Sequence, residues 1–382
     1  MSKLETLIQQ LCPDGVEYKR LGDVLVIKNG RDYKSFKSGN VPVYGSGGIM
    51  AYIDTAVYDK PSVLIPRKGS LEKLYYVDKP FWNVDTIFYT EINTELVCPK
   101  FVYYWLAKQH LERLNKAGGV PSLTQAVLNK VTIPVPPLEI QREIVRILDN
   151  FTELTAELTA ELTARKKQFQ FYHKQFFEFK KSDCIQIVCI KDICELLTGY
   201  PFDSSQFTAT GIHLLRGMNI KRGILDYSES NNRYWNSVQG YEKFLLSTDD
   251  IVIAMDGSLV GKSYAQVKSN HLPSLLVQRV TRVRVTKANA HYIYHYISSG
   301  AFTRYVEKKK TGGAVPHISL KDIANFKIPL PSENMQKEIA DSLDRFDALC
   351  NDLTSGLPAE IAARQKQYEY YRDKLLTFKP LA

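Results

Sequence analysis

Residues 133–180, IPVPPLEIQREIVRILDNFTELTAELTAELTARKKQFQFYHKQFFEFK, are matched by residues 328–379, IPLPSENMQKEIADSLDRFDALCNDLTSGLPAEIAARQKQYEYYRDKLLTFK. Ile133-Pro134-Val135-Pro136 lies over Ile328-Pro329-Leu330-Pro331 at an offset of 195. Gln141, Glu143, Ile144, Leu148, Asp149 and Phe151 recur as Gln336, Glu338, Ile339, Leu343, Asp344 and Phe346. The ends, 164–180 and 363–379, match at 199. Each stretch follows a proline-bounded strand, and proline is tolerated where a helix starts. In the first copy Ile140, Ile144, Ile147, Phe151, Leu154 and Leu158 alternate spacings of four and three, a coiled-coil seam. The tandem TAEL at 155–158 and 159–162 adds consecutive steps of four, a stutter that locally unwinds a supercoil. The seam resumes at Phe169, Tyr172 and Phe176. Residues 138–179 predict a rod of about 60 Å at ~1.5 Å per residue. In the second copy Gly356 and Pro358 predict a break near the middle. The residues expected to pack helix on helix are Ile144, Phe151, Leu154, Leu158, Leu162 and Phe169, with Leu343, Phe346 and Tyr371 opposite.

Working outward, the repeat covers the whole chain. Val120-Pro121-Ser122-Leu123 matches Val315-Pro316-His317-Ile318, FVYYWL (101–106) matches YIYHYI (292–297), and VLIPRKGSL (63–71) matches IVIAMDGSL (251–259) at an offset of 188. Leu21-Gly22-Asp23 and Gly30 match Ile190-Lys191-Asp192 and Gly199 at 169, so the second copy carries extra residues, expected just after its first strand. Before each helix, short apolar runs (24–27, 63–65, 87–89, 251–253, 280–285) sit between Gly, Pro, Asn and Ser clusters and predict strands. Residues 101–114 predict one amphipathic helix. Leu4, Leu7, Ile8 and Leu11 predict a short N-terminal helix, expected beside the end of the second long helix. The predicted fold is α+β: two mixed β-rich domains with few helices, separated by two long antiparallel helices in a pseudo-two-fold, near-circular repeat. The predicted boundaries are 1–136, 137–181, 182–331 and 332–382: domain, helix, domain, helix.

Of 382 residues, 44% are hydrophobic and 24% charged, an ordinary globular composition. Lys+Arg 50 against Asp+Glu 41 gives +9, compatible with a polyanionic partner. Glu5, Gln9 and Gln10 interrupt any secretory signal, no apolar run is long enough to span a bilayer, and six cysteines are too few for a disulfide scaffold. The expected location is the cytoplasm. No catalytic signature holds. GSLVGKS (257–263) has three residues between its glycines where a phosphate loop needs four. Cys184, Cys189 and Cys194 alternate with Ile and Val and lack metal-ligand spacing, and His291 and His295 read as part of an aromatic helix face. Neither Glu-x-Lys tripeptide (17–19, 178–180) has the upstream Pro-Asp of a nuclease. Amino-methyltransferase and S-adenosylmethionine motifs are absent from the sequence. The expectation is a chain with no metal and no cofactor of its own.

Two divergent domains, each followed by a similar long helix, resemble the specificity (S) subunit of type I restriction-modification enzymes. The likeness covers nearly the whole chain, is strongest in the two helices, and through its TAEL repeat resembles the subgroup called type IC. The resemblance implies that each β-rich domain is a target-recognition domain reading one half of a split, asymmetric DNA sequence, with the helices as a ruler between them. It implies two methyltransferase (M) subunits and two restriction-translocation (R) subunits as partners on double-stranded DNA. Methylation and cleavage, with S-adenosylmethionine, ATP and Mg, would belong to those partners. An S-like scaffold that binds M subunits without reading DNA is the alternative.

Phosphates are met by Arg, Lys, small hydroxyls and bare amides, and base edges by Arg, Lys, Asn, Gln and Asp. In the first domain the candidates are Lys28, Asn29, Arg31, Tyr33, Lys34, Tyr44, Ser46 and Gly47, then Arg67, Lys68 and Ser70. In the second they are Tyr200, Arg216, Asn219, Lys221 and Arg222, then Asp256, Ser258 and Lys262. The glycine loops at matched places add Lys116, Gly118 and Gly119, and Lys310 and Gly312. The repeat sets Arg67-Lys68 over Met255-Asp256, the same flank with different chemistry.

Overall fold

The structure is a computed structural model and describes residues 3–115, 121–179, 185–313, 315–352 and 355–381. The chain forms two compact units, Met1–Ala160 with Glu360–Ala382, and Glu161–Ala359.

The first unit contains strands β1 (Tyr18–Arg20), β2 (Leu25–Lys28), β3 (Ser38–Gly45), β4 (Gly48–Ile53), β5 (Ser62–Pro66), β6 (Tyr75–Val77), β7 (Trp82–Asn83), β8 (Ile87–Ile92) and β9 (Thr132–Pro134). They make a four-stranded sheet in the order β2-β8-β5-β6, a three-stranded sheet β4-β3-β7 and a pair β1-β9. The second unit contains β10 (Gln186–Cys189), β11 (Cys194–Thr198), β12 (Ile212–Leu215), β13 (Tyr234–Trp235), β14 (Ile251–Ala254), β15 (Tyr264–Gln266), β16 (Ser274–Leu276), β17 (Val280–Val285) and β18 (Lys327–Leu330). Their orders are β11-β17-β14-β15, β13-β12-β16 and β10-β18, the first unit's pattern strand for strand. The weak sequence matches therefore mark equivalent strands. Only Ser46 and Gly47 join β3 to β4, whereas residues 216–233 join β12 to β13. The extra residues of the second copy lie largely there, one strand later than the sequence spacing suggested, because a turn of two residues can be replaced without disturbing either strand.

The central strands β5 and β14 are buried along their length, as a β-branched, two-faced strand requires. In the first unit two polar members of this core pair with backbone carbonyls. Ser62 Oγ donates to the Thr90 carbonyl at 2.7 Å, and Thr90 Oγ1 donates to that of Val63 at 3.0 Å.

The helix predicted over 101–114 stops early. An α-helix runs Pro99–Lys108, His110 takes φ 51, and Leu111–Leu114 forms a 3-10 turn. The first long helix spans Leu138–Gln175, its residues shared between the two units. The second is interrupted as Gly356 and Pro358 predict, into Glu333–Asn351 and Leu357–Leu375, with Pro358 in the first turn of the latter. Within the first unit Phe151 stacks on Tyr371 (centroids 5.4 Å) and Ile144 is fully buried. Within the second, Phe346 meets Phe169 (6.3 Å) and Tyr172 (5.9 Å), and Leu343 is fully buried. Leu154, Leu158 and Leu162 are half-buried.

The N-terminal helix (Lys3–Leu11) packs Leu4, Leu7 and Ile8 into the core that holds Leu375, Leu376 and Phe378. Val16 then bridges to Pro380 in parallel. The expected docking of the chain's two ends is present within the first unit.

Both units fasten a domain helix to the start of a long helix in the same way. Gln141 accepts from Cys98 N–H (2.7 Å) and donates to the Pro136 carbonyl (2.7 Å); Gln336 accepts from Asn289 N–H (2.9 Å) and donates to the Pro331 carbonyl (2.8 Å). Asp149 takes Lys100 Nζ (2.8 Å) and Tyr104 OH (2.7 Å). At the equivalent place Asp344 takes His291 Nδ1 (2.6 Å) and His295 Nε2 (2.7 Å). The histidines first read as an aromatic face are this clamp. Among the described residues no group of three or more His, Cys, Asp or Glu has the arrangement to hold a metal.

Candidate nucleic-acid interface

The loop that leaves the buried central strand is held alike in both units. Leu123 N–H donates to the Arg67 carbonyl (2.9 Å), as Ile318 N–H does to that of Met255 (2.9 Å). Gly69 N–H donates to the Pro121 carbonyl (3.3 Å), and Gly257 N–H to that of Pro316 (3.1 Å). Lys68 and Ser122 form an isolated bridge, and their matched residues Asp256 and His317 form another. A third anchor precedes the next strand: Arg67 N–H donates to the Thr86 carbonyl (2.9 Å), and Met255 N–H to that of Arg279 (2.9 Å). Gly30 and Gly199 close the frame, because an added Cβ would lie 2.0 Å from the Val84 carbonyl oxygen and 2.3 Å from that of Val277. One backbone frame thus carries Arg67, Lys68, Ser122 and Thr86 in one unit, and Met255, Asp256, His317 and Arg279 in the other.

In the first unit this frame gathers several predicted residues. Arg31 N–H donates to the Asn83 carbonyl (2.9 Å), and its own carbonyl accepts from Trp82 Nε1 (3.0 Å), leaving the guanidinium exposed. Ser46 N–H donates to Thr86 Oγ1 (3.3 Å), and Gly47 is exposed beside it. Arg67 Nη1 reaches the Asp85 carbonyl (3.5 Å) with its guanidinium over Phe88, while Lys68 is exposed and Ser70 half-buried. Asn29 and Lys34 are exposed; Lys28 is paired with Glu91 (3.5 Å). Two candidates are turned inward. Tyr33 packs on the Val43, Ile53 and Trp82 core. Tyr44 packs on Tyr75 (5.8 Å) and Phe81 (6.3 Å), where burial raises its phenol pKa. Lys116, Gly118 and Gly119 lie outside the described residues.

In the second unit Asp256, Ser258 and Lys262 share one turn, closed by Val260 N–H to the Gly257 carbonyl (3.0 Å) and Lys262 N–H to that of Leu259 (2.8 Å). The phosphate-loop lookalike is this turn. The glycine loop adjoins it: Thr311 and His317 exchange backbone hydrogen bonds (2.9 and 2.8 Å) around Gly312, whose φ is 89. Lys310 is paired with Glu307 (2.7 Å). Asn219 is 1% exposed and donates to the Asp226 (2.9 Å) and Asn231 (3.3 Å) carbonyls. It shapes the 216–233 loop rather than presenting its amide outward. Arg216 Nη2 donates to the Asn231 carbonyl (2.7 Å), and burial, with Arg233 nearby, lowers its pKa. Lys221 is exposed. Arg222 bridges to Tyr264 and lines an open cleft of about 570 Å³ with Tyr294, Arg304 and Asp347. Tyr200 sits in an aromatic group with Phe202 and Tyr241 (5.1 Å each).

Thr86, Ser122, His317 and Arg279 of the frame were not among the sequence candidates. The signal was present at a smaller scale than the one used. Val84 and Val277 match at an offset of 193, which sets Arg279 over Thr86.

The profile of the family described as type I restriction modification DNA specificity domain matches residues 13–165 and 183–363. The chain is 37% identical over 292 residues to the type I restriction enzyme EcoR124I/EcoR124II specificity subunit of Escherichia coli, covering 73% of this chain and 70% of that one. It is 26% identical over 397 residues to a putative type I restriction enzyme specificity subunit of Haemophilus influenzae, covering 99% and 100%. The S subunit of M. genitalium superposes with a TM-score of 0.64 at 14% identity over 95% of this chain and 96% of that one, and the HsdS subunit of Thermoanaerobacter tengcongensis with 0.52 at 17% over 96% and 97%. Two copies of one α+β frame, each matched by the family's profile and differing in the side chains at the strand end, place the chain in the family of type I restriction-modification specificity subunits, the DNA-recognition subunits of these enzymes.

Proposed function

We propose that this chain reads a bipartite, asymmetric double-stranded DNA target, one half-site with each β-rich domain, and carries no catalytic site of its own. It directs two M subunits, which methylate the target, and two R subunits, which cleave DNA. S-adenosylmethionine, ATP and Mg belong to those partners. The observation that carries this reading is the shared frame: identical strand order and loop anchors, with Arg67 and Lys68 in one copy where Met255 and Asp256 stand in the other. A shared strand order and shared anchors with unequal donors and acceptors are what two different half-sites demand of one fold. The domain boundaries that suit this division are 1–136 and 182–331, with 137–181 and 332–382 as connecting helices.

Long-read methylome sequencing of cells expressing this chain with its M subunits, against cells lacking it, tests the proposal. The expected result is one split motif methylated only when the chain is present. Unchanged methylation with an intact chain–M complex would overturn it in favour of a scaffold that reads no DNA.

A further inference from the structure

Arg279 precedes β17 with φ 67, a left-handed conformation that a residue with a Cβ rarely adopts. Its first-unit equivalent, Thr86, is not among the described residues of positive φ. Backbone strain of this kind collects where a side chain must be aimed. The aim here is set by Asp256, whose Oδ2 stands 3.4 Å from Arg279 Nε while its Oδ1 contacts His317 Nδ1. His317 is itself fixed by its backbone exchange with Thr311. With Nε facing the carboxylate at ion-pair distance, the end of the guanidinium bearing Nη1 and Nη2 points away from it. The side chain is 65% exposed, and among the described residues neither Nη has a hydrogen-bond partner. Exposed Leu259 and Val315 flank the site through the turn that Gly257 and Pro316 tie together.

We propose that Arg279 is the guanine-reading residue of the second domain, presenting Nη1 and Nη2 to O6 and N7 in the major groove, with Asp256 as its positioning residue. The proposal rests on the reading of the chain as a DNA-recognition subunit. A planar fork with two parallel donors fits the two acceptors of guanine and of no other base. Holding the fork beforehand lowers the side-chain entropy lost on contact. A free surface arginine would need neither the left-handed backbone nor the carboxylate behind Nε.

The test uses the chain assembled with its M subunits. Each guanine of the second half-site is replaced in turn by 7-deazaguanine, which lacks the N7 acceptor. Expected for the unaltered protein is a roughly 5- to 150-fold loss of affinity at one position. Arg279→Ala should lose that sensitivity, weaken binding of the unmodified site by a similar factor and leave the first half-site's bases unchanged. Asp256→Asn should show a smaller loss at the same position, as a positioning role requires. If no guanine substitution weakens the unaltered complex, or if Arg279→Ala methylates the same sites at the same rate, the assignment to Arg279 fails while the DNA-reading function stands. An unaltered complex with no sequence preference would overturn both.

Discussion

At the scale of single residues, the first domain offers Arg67 where the second offers Met255. Arg67 is partly steadied by Phe88 and the Asp85 carbonyl, so its guanidinium is a restrained rather than a free donor. Arg67→Ala should cost about 1–3 kcal/mol of discrimination at one base pair of the first half-site. M-subunit assembly should remain intact; methylome mapping reads the first and size-exclusion chromatography the second. His173 supplies a pH dependence. It is buried against Phe169 and Phe177, its Nε2 is 3.1 Å from Ser298 Oγ, and burial, aided by His295, pushes its pKa down to about 4. An unfolded histidine titrates near ~6.5. The folded state therefore binds fewer protons between those values, and stability falls as pH drops from about 6.5 toward 4, by roughly 2 kcal/mol at pH 5. His291 works in the opposite sense: hydrogen bonding to Asp344 raises its pKa, so its contribution is present at low pH and lost as pH rises through that value. Comparing the full chain with His173→Gln by calorimetry at pH 7 and 5 isolates the first effect. The variant should lose distinctly less stability on acidification, and an equal loss would refute the role of His173.

At the scale of elements, the long helix is continuous through both TAEL units, and its threonines bond back along it, Thr155 Oγ1 to the Phe151 carbonyl (2.9 Å) and Thr159 Oγ1 to that of Thr155 (2.7 Å). Such bonds satisfy the hydroxyls without breaking the helix. Inserting another TAEL after Leu162 adds about 6 Å of helix, comparable to one or two base-pair steps. The expected outcome is a longer unspecified spacer with both half-sites unchanged; altered half-site bases in the methylated motif would contradict it. The N-terminal helix makes a second test. Leu4 is buried with Leu376, and Lys3 pairs with Glu143 at 3.0 Å, whose carboxylate Arg146 and Lys3 hold down to about 2. Removing residues 1–12 exposes that core. Thermal unfolding should then shift several degrees downward, in line with about 2–4 kcal/mol for losing buried leucine contacts.

At the scale of the molecule, the two units share strand order and anchors but differ in the chemistry of the clamp, Lys100 and Tyr104 on Asp149 in one, His291 and His295 on Asp344 in the other. The second unit's clamp carries a pH-sensitive member, His291, whose pKa its hydrogen bond to Asp344 raises, and the first unit's clamp holds no histidine. The net +9 bears on the whole complex with DNA. Binding measured between 50 and 200 mM salt should weaken at least ~10-fold, with a log–log slope near −0.9 for each phosphate neutralised. A flat salt profile would count against phosphate contacts from this chain. Among the described residues no helix is long and apolar enough to cross a membrane.

The repeat, the long helices, their interruption at Gly356 and the strand-end position of Arg67-Lys68 and Met255-Asp256 were readable from residue order alone. Spacing of three and four along a helix, β-branched runs and turn residues are local properties, and a repeated register exposes them twice. What residue order could not decide was which exposed-looking groups turn inward and which distant ones meet. Tyr44 and Asn219 carry the chemistry of base contacts yet turn inward, Tyr44 from its strand onto Tyr75 and Phe81 and Asn219 onto carbonyls of its own loop, because the face a side chain takes depends on neighbours that residue order does not reveal. Arg279 and His317 meet Asp256 only because β17 lies beside β14 and the glycine loop folds back on the strand end. That meeting is a property of sheet order, which no local pattern carries, and it is one of the places where two domains of the same strand order acquire different chemistry.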